Sequence, residues 1–146
     1  MPLTVESESV RAYLPLIQGV INRTAANSAS CKTWCITIVS ALFALAIDKN
    51  KPDAILVGFL PLGMFFLLDA YYLSLERDFR QVYNSFVDKL HANKAKDSDL
   101  YDLKPKQFGF RHRSLALISA IVSLSIIPFY GILAAALLIT RSKVSS

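Results

Sequence analysis

Hydrophobic side chains are gathered into three runs, residues 33–47, 54–68 and 114–140, and the chain between them is polar or amphipathic. The last run holds 27 residues without one charged side chain, closed by Arg111, His112 and Arg113 before it and by Arg141 and Lys143 after it. A helix needs ~20 apolar residues to cross ~30 Å of hydrocarbon, so this run is long enough to span a bilayer. The two earlier runs have 15 residues each, or ~22 Å of uncharged helix apiece. The polar link Asp48-Lys49-Asn50-Lys51-Pro52-Asp53 suits a turn, and both runs extend at their outer ends. They are expected to form a transmembrane hairpin.

Folding that hairpin symmetrically about its turn brings Lys32 level with Asp69. A charge next to hydrocarbon costs several kcal/mol unless it is paired or reaches the interface. The two residues therefore form a structural ion pair or snorkel separately. Within the last run, Pro128 and Gly131 offer a point of division, but halves of 14 and 13 residues are each too short to cross. Three spans are the expectation.

Beyond Leu68 the second helix is expected to continue to about His91. Tyr72, Leu75, Phe79, Val82, Phe86 and Leu90 recur at three- and four-residue intervals among charged neighbours, the pattern of an amphipathic helix in water. Val10, Tyr13, Leu14, Ile17, Val20 and Ile21 form a matching stripe ahead of the first span. Packed together they make a helical layer beneath the membrane; the alternative is that each stripe lies on the lipid surface. Residues 91–107 lack an apolar period, include Pro105 and are expected to be loop.

Composition agrees with a membrane environment: 53% of the residues are hydrophobic, and the mean hydropathy is +0.40. The net charge of +5 is unevenly spread. Residues 1–32 and 76–113 hold 12 of the 16 Lys and Arg, against four in the turn and the tail. The positive-inside rule then places the N-terminus in the cytoplasm. The start of the chain lacks the pattern of a secretory signal and is expected to remain in the mature protein. Cys31 and Cys35 sit one helical turn apart, poorly placed for a disulfide, and no zinc-type spacing surrounds them. No motif of a hydrolase, metalloprotease or nucleotide-cleaving enzyme is present, so no catalytic residue, metal or cofactor is expected.

Two groups of residues are candidates for function. Asn27, Ser30, Thr37 and Ser40, followed by Ala44, fall on one side of the first helix, where they line water in a pore or pack closely against another helix. A three-span protomer encloses no channel, so the pore-lining reading requires an oligomer. Lys104, Lys106, Arg111 and Arg113 interleave with Phe108 and Phe110 just before the last run, and Arg77 and Arg80 project from the preceding helix into the same layer. Cations with aromatic rings suit a nucleotide or a short single-stranded nucleic acid; they equally anchor a helix end at the interface.

The hairpin of residues 33–68, entered by an N-terminal helix and continued by Tyr71-Tyr72-Leu73-Ser74-Leu75-Glu76-Arg77-Asp78-Phe79-Arg80, resembles the small SLATT-type membrane effectors of bacterial anti-phage systems over about residues 5–95. The run after Phe110 departs from their two-span pattern. The resemblance implies a pore-forming subunit opened or held silent by a nucleotide-derived signal from a partner enzyme. The expectation is therefore an all-α integral membrane protein of the bacterial inner membrane, with about three transmembrane helices and a cytoplasmic helical layer. Its single domain divides into an N-terminal amphipathic helix (1–32), a transmembrane hairpin (33–75), a cytoplasmic helix and loop (76–113) and a last span (114–140). It would act as a homo-oligomeric ion channel in contact with membrane lipid, gated by a nucleotide or oligonucleotide at Arg77, Arg80, Lys104, Lys106, Arg111 and Arg113. The competing readings are a non-conducting adaptor that recruits a soluble partner through its cytoplasmic helices, and a small transporter using Asp69.

Overall fold

The computed structural model describes residues 3–4, 6–48, 52–103 and 110–144. Within them all regular secondary structure is helical: α1 (Glu8–Asp48), α2 (Pro52–Val57), α3 (Phe59–His91), α4 (Phe110–Ile121) and α5 (Ile127–Val144), with a 3-10 turn at Asp97–Asp99. Two stretches, Glu8–Leu45 and Ile55–His91, are long and apolar enough to cross a membrane.

α1 is one helix of 41 residues and runs without interruption from the amphipathic stretch into the first apolar run. Between Arg23 and Lys32 every side chain is short, with no glycine or proline to stop the helix. Pro15 lies within the helix. An interior proline ordinarily interrupts a helix, but Val10, Tyr13, Ile17 and Ile21, all buried, hold this segment against its neighbours.

Proline does break the other two long elements. The helix expected to run from residue 54 to His91 loses its regular hydrogen bonding at Gly58 alone, which keeps helical dihedrals (φ −62°, ψ −23°), so the stretch continues in one direction. Pro61 has no amide proton, and its ring crowds the carbonyl four residues back, which is that of Val57, the last residue of α2. The 27-residue run is likewise two helices, separated by residues 122–126. Here Pro128 crowds the carbonyl of Leu124, and the interruption lies ahead of the proline because a first-turn proline is tolerated in α5.

The division does not turn the chain back. Arg77 of α3 bonds Ser119 of α4, the Tyr130 hydroxyl of α5 donates to the Phe65 carbonyl at 3.1 Å, and Leu137 reaches Gly58. Successive contacts thus climb α4 and α5 while descending α3, so the pair forms one interrupted helix antiparallel to α3. α1 is also antiparallel to α3. Leu3 donates its amide to the Ala95 carbonyl at 3.3 Å, Tyr13 meets Phe86 edge to face at 4.9 Å, and Ser28 meets Asp69.

Two hydrophobic cores result. One contains Cys35, Val39, Ile55, Leu62, Ala70, Ala120, Ile126, Tyr130 and Leu137. The other contains Leu3, Val10, Tyr13, Ile17, Ile21, Phe86, Leu90 and Ala95, with Leu100 and Leu103 of the following loop packed against it. The second core is the union of the two amphipathic stripes. Its loop is tied down by the Tyr13 hydroxyl, which donates to the Asp102 carbonyl at 3.0 Å, and by an ion pair between Lys89 and Asp99.

Candidate functional site

The seam between the cores is polar. Thr24, Ser28, Asp69 and Ser74 are all buried there. Thr24 and Ser74 donate to carbonyls of their own helices, at 2.8 Å to Ile21 and 3.0 Å to Tyr71. Asp69 is different: it is fully buried, and Lys32 Nζ stands 2.5 Å from its Oδ2. Ser28 Oγ donates to Oδ1, and Lys32 Nζ reaches Ser28 Oγ at 3.4 Å. Among the described residues Oδ2 has no hydrogen-bond donor of ordinary geometry, so the ammonium is its compensating charge.

The structure therefore brings Lys32 and Asp69 together. Lys32 keeps 20% of its side chain exposed, consistent with a stem along the apolar surface and a head turned toward the carboxylate. Ser28 completes the group, and spacing alone does not single it out. Its role depends on which face of α1 turns inward, and that is set by α3. Cys31 and Cys35 lie free and buried on the same face.

The hydroxyl face of α1 points outward. Ser30, Thr37 and Ser40 are exposed, and Asn27 is half-buried. Ser30 donates to Ala26 at 2.9 Å, Thr33 to Ala29 at 3.2 Å and Thr37 to Thr33 at 2.9 Å, each to a backbone carbonyl one turn earlier. These side chains face neither core, and their neighbours Trp34, Ile36 and Ile38 are exposed as well.

The basic candidates do not form one described cluster. Arg80 pairs with Glu76 at 2.7 Å on the same helix. Arg77 turns toward α4, where Nη1 donates to the Ser119 carbonyl at 3.1 Å and Oγ at 3.3 Å. Lys104 and Lys106 lie outside the described residues, as do the side chains of Arg111 and Arg113. No group of three His, Cys, Asp or Glu able to hold a metal ion occurs among the described residues.

Large apolar side chains cover the outer surface of one part of the molecule. Trp34 is 60% exposed, and Leu60, Met64, Leu67, Leu115, Ile118, Val122, Ile132 and Leu138 are also turned outward. Soluble monomers rarely expose contiguous apolar patches of more than a few hundred Å². By contrast, the outer face around the second core carries Arg11, Gln18, Asn22, Arg23 and Asp88. No protein family, curated protein or solved structure matches this chain.

Proposed function

We propose that the chain is an integral membrane protein whose protomers associate through the outward face of α1 and enclose a pore. The observation that carries this reading is a line of self-satisfied hydroxyls, Ser30, Thr33 and Thr37, set in an apolar outer surface. A hydroxyl bonded to its own helix enters lipid or a helix interface at little penalty and retains lone pairs for water or an ion. Three helices have no room for a conduit among them, so that face becomes a lining only when copies surround it.

In this reading α1, the α2–α3 pair and the interrupted α4–α5 pair cross the bilayer, giving three spans. The seam at Lys32 and Asp69 lies at the cytoplasmic boundary, and the second core forms the cytoplasmic layer. The Lys and Arg count supports a cytoplasmic N-terminus. The resemblance to anti-phage effectors supplies the setting, a bacterial inner membrane depolarised on a signal from a partner enzyme. An anionic nucleotide or oligonucleotide would act through Arg77, Arg80, Lys104, Lys106, Arg111 and Arg113 by binding the open and closed packings unequally.

The adaptor reading loses support from the second core. Phe86 and Leu90 of the α3 stripe are already buried under α1, which leaves little of that stripe to receive a soluble partner. The test is conductance of purified protein in planar bilayers, with and without nucleotides and short oligonucleotides. The pore reading expects discrete unitary currents that change when Thr37 and Ser40 are replaced by Leu. Silence in every condition, with undiminished insertion, would end it.

A further inference from the structure

Between α3 and α4 lies a cavity of about 340 Å³ lined by Ser74, Arg77, Asp78, Gln81, Leu115, Ala116 and Ser119. Its walls are of two kinds. The α3 wall presents a guanidinium and a carboxylate side by side, while the α4 wall is apolar at Leu115 and Ala116. Leu115 is itself 64% exposed, and Ile118 and Val122 continue the same exposed stripe along α4.

The two charges are not spent on each other. Arg77 uses Nη1 on Ser119, which fixes the guanidinium plane against α4 and leaves its other nitrogens available. Asp78 makes no ion pair among the described residues, whereas Glu76, two positions earlier, is held by Arg80. A fixed cation and an unpaired anion one residue apart suit a ligand carrying both charges. With Asp78 beside it, the guanidinium favours a phosphate that carries its own cation.

The site also sits at a defined level. Residues 59–68 of α3 are entirely uncharged, and charge begins at Asp69 and resumes at Glu76. Exposed Tyr71 lies between the two, as aromatic side chains do where hydrocarbon gives way to headgroups. An apolar stripe leading to a polar cavity at that depth is the shape of an amphiphile, with the acyl chain along the stripe and the headgroup in the cavity.

We propose that the Arg77–Asp78 cavity binds the headgroup of a zwitterionic amino-phospholipid, of the phosphatidylethanolamine type. The phosphate accepts hydrogen bonds from Arg77, the primary ammonium donates to Asp78, and an acyl chain leaves the cavity past Ile118 and Val122 toward the uncharged part of α3. The guanidinium fork suits phosphate oxygens. A quaternary choline headgroup has no N–H to give Asp78, so the site discriminates by hydrogen bonding as well as by charge. The assignment rests on the membrane reading above.

Native mass spectrometry of the full-length protein, equilibrated with equal amounts of phosphatidylethanolamine and phosphatidylcholine, tests the site. Flotation with phosphatidylcholine vesicles is run in parallel. The wild type is expected to retain the ethanolamine lipid about tenfold over the choline lipid, a difference typical of a charge-assisted hydrogen bond. Asp78→Asn, nearly isosteric, is expected to float normally and to lose that preference, whereas Arg77→Gln lowers retention of both lipids. Equal retention of the two lipids by a wild type that floats, or an unchanged preference in Asp78→Asn, would overturn the site and leave the membrane reading standing. Failure to float with any vesicle would overturn the membrane reading and the site with it.

Discussion

Lys32 Nζ lies 2.5 Å from Asp69 Oδ2 and ties the two long helices together at the seam between their hydrophobic cores. The two partners are unequally placed, because the carboxylate is fully buried and the lysine is not. Removing one partner of a buried pair leaves the other uncompensated. Lys32→Met strands a charge that cannot leave the interior, whereas after Asp69→Asn the ammonium swings out toward headgroups. Lys32→Met is therefore expected to destabilise by about 3 kcal/mol or more, and Asp69→Asn by roughly half as much. Thermal unfolding in lipid nanodiscs reads the difference; equal losses would show that Lys32 does not anchor the carboxylate.

Gly58 is where α5 comes closest to the α2–α3 junction. A Cβ there would fall 2.8 Å from Leu137 Cδ2 and 3.1 Å from the Ile55 carbonyl. Gly58→Ala is expected to destabilise by about 1–2 kcal/mol, as overpacking of a filled interface does. Part of that loss should return in the double variant with Leu137→Ala, measured as a positive coupling in a double-mutant cycle. Additive losses would place the strain on the backbone of α2 instead.

Tyr13 couples the second core to pH. Burial raises the pKa of its hydroxyl above the ordinary value of 10.0, and the carboxylates of Asp102 and Asp99 push in the same direction. The folded state thus holds this proton more tightly than the unfolded state. The resulting stability is complete below pH ~10 and is lost as pH rises through the higher folded value. Tyr13→Phe is expected to cost about 1 kcal/mol through the lost bond to Asp102 and to flatten the alkaline decline. Amide exchange at residues 10–21 followed from pH 8 to 11 checks both.

How much of this was legible in the sequence differs from element to element. The amphipathic continuation of α3 and its stripe-to-stripe packing on α1 follow from periodicity, because water on one side and a core on the other impose it. The level of Lys32 and Asp69 follows from counting outward from a single turn. The inward face of α1 does not follow, since Ser28 and Ser30 are chemically alike and lipid accepts apolar groups on any side. The breaks at Gly58 and at residues 122–126 depend on Pro61 and Pro128, whose i−4 carbonyls were identifiable; charge-free length alone read through both.

Pro128 gives that rule a direct check. Pro128→Ala restores an amide donor facing the Leu124 carbonyl and removes the ring that crowds it. Amide exchange between Val122 and Ile127 is expected to slow by roughly tenfold as the two helices merge. Unchanged exchange would assign the interruption to Ser123 and Ser125 rather than to the proline.

The central claim is that lipid covers the apolar outer surface, and Trp34, the single tryptophan of the chain, reports on it. Its fluorescence should be measured in vesicles whose acyl chains carry bromine at shallow or deep positions, with acrylamide as the aqueous quencher. The account predicts strong quenching by bromine, greatest at the shallow positions near the headgroups, and weak quenching by acrylamide. Efficient acrylamide quenching with no response to brominated lipid would contradict it.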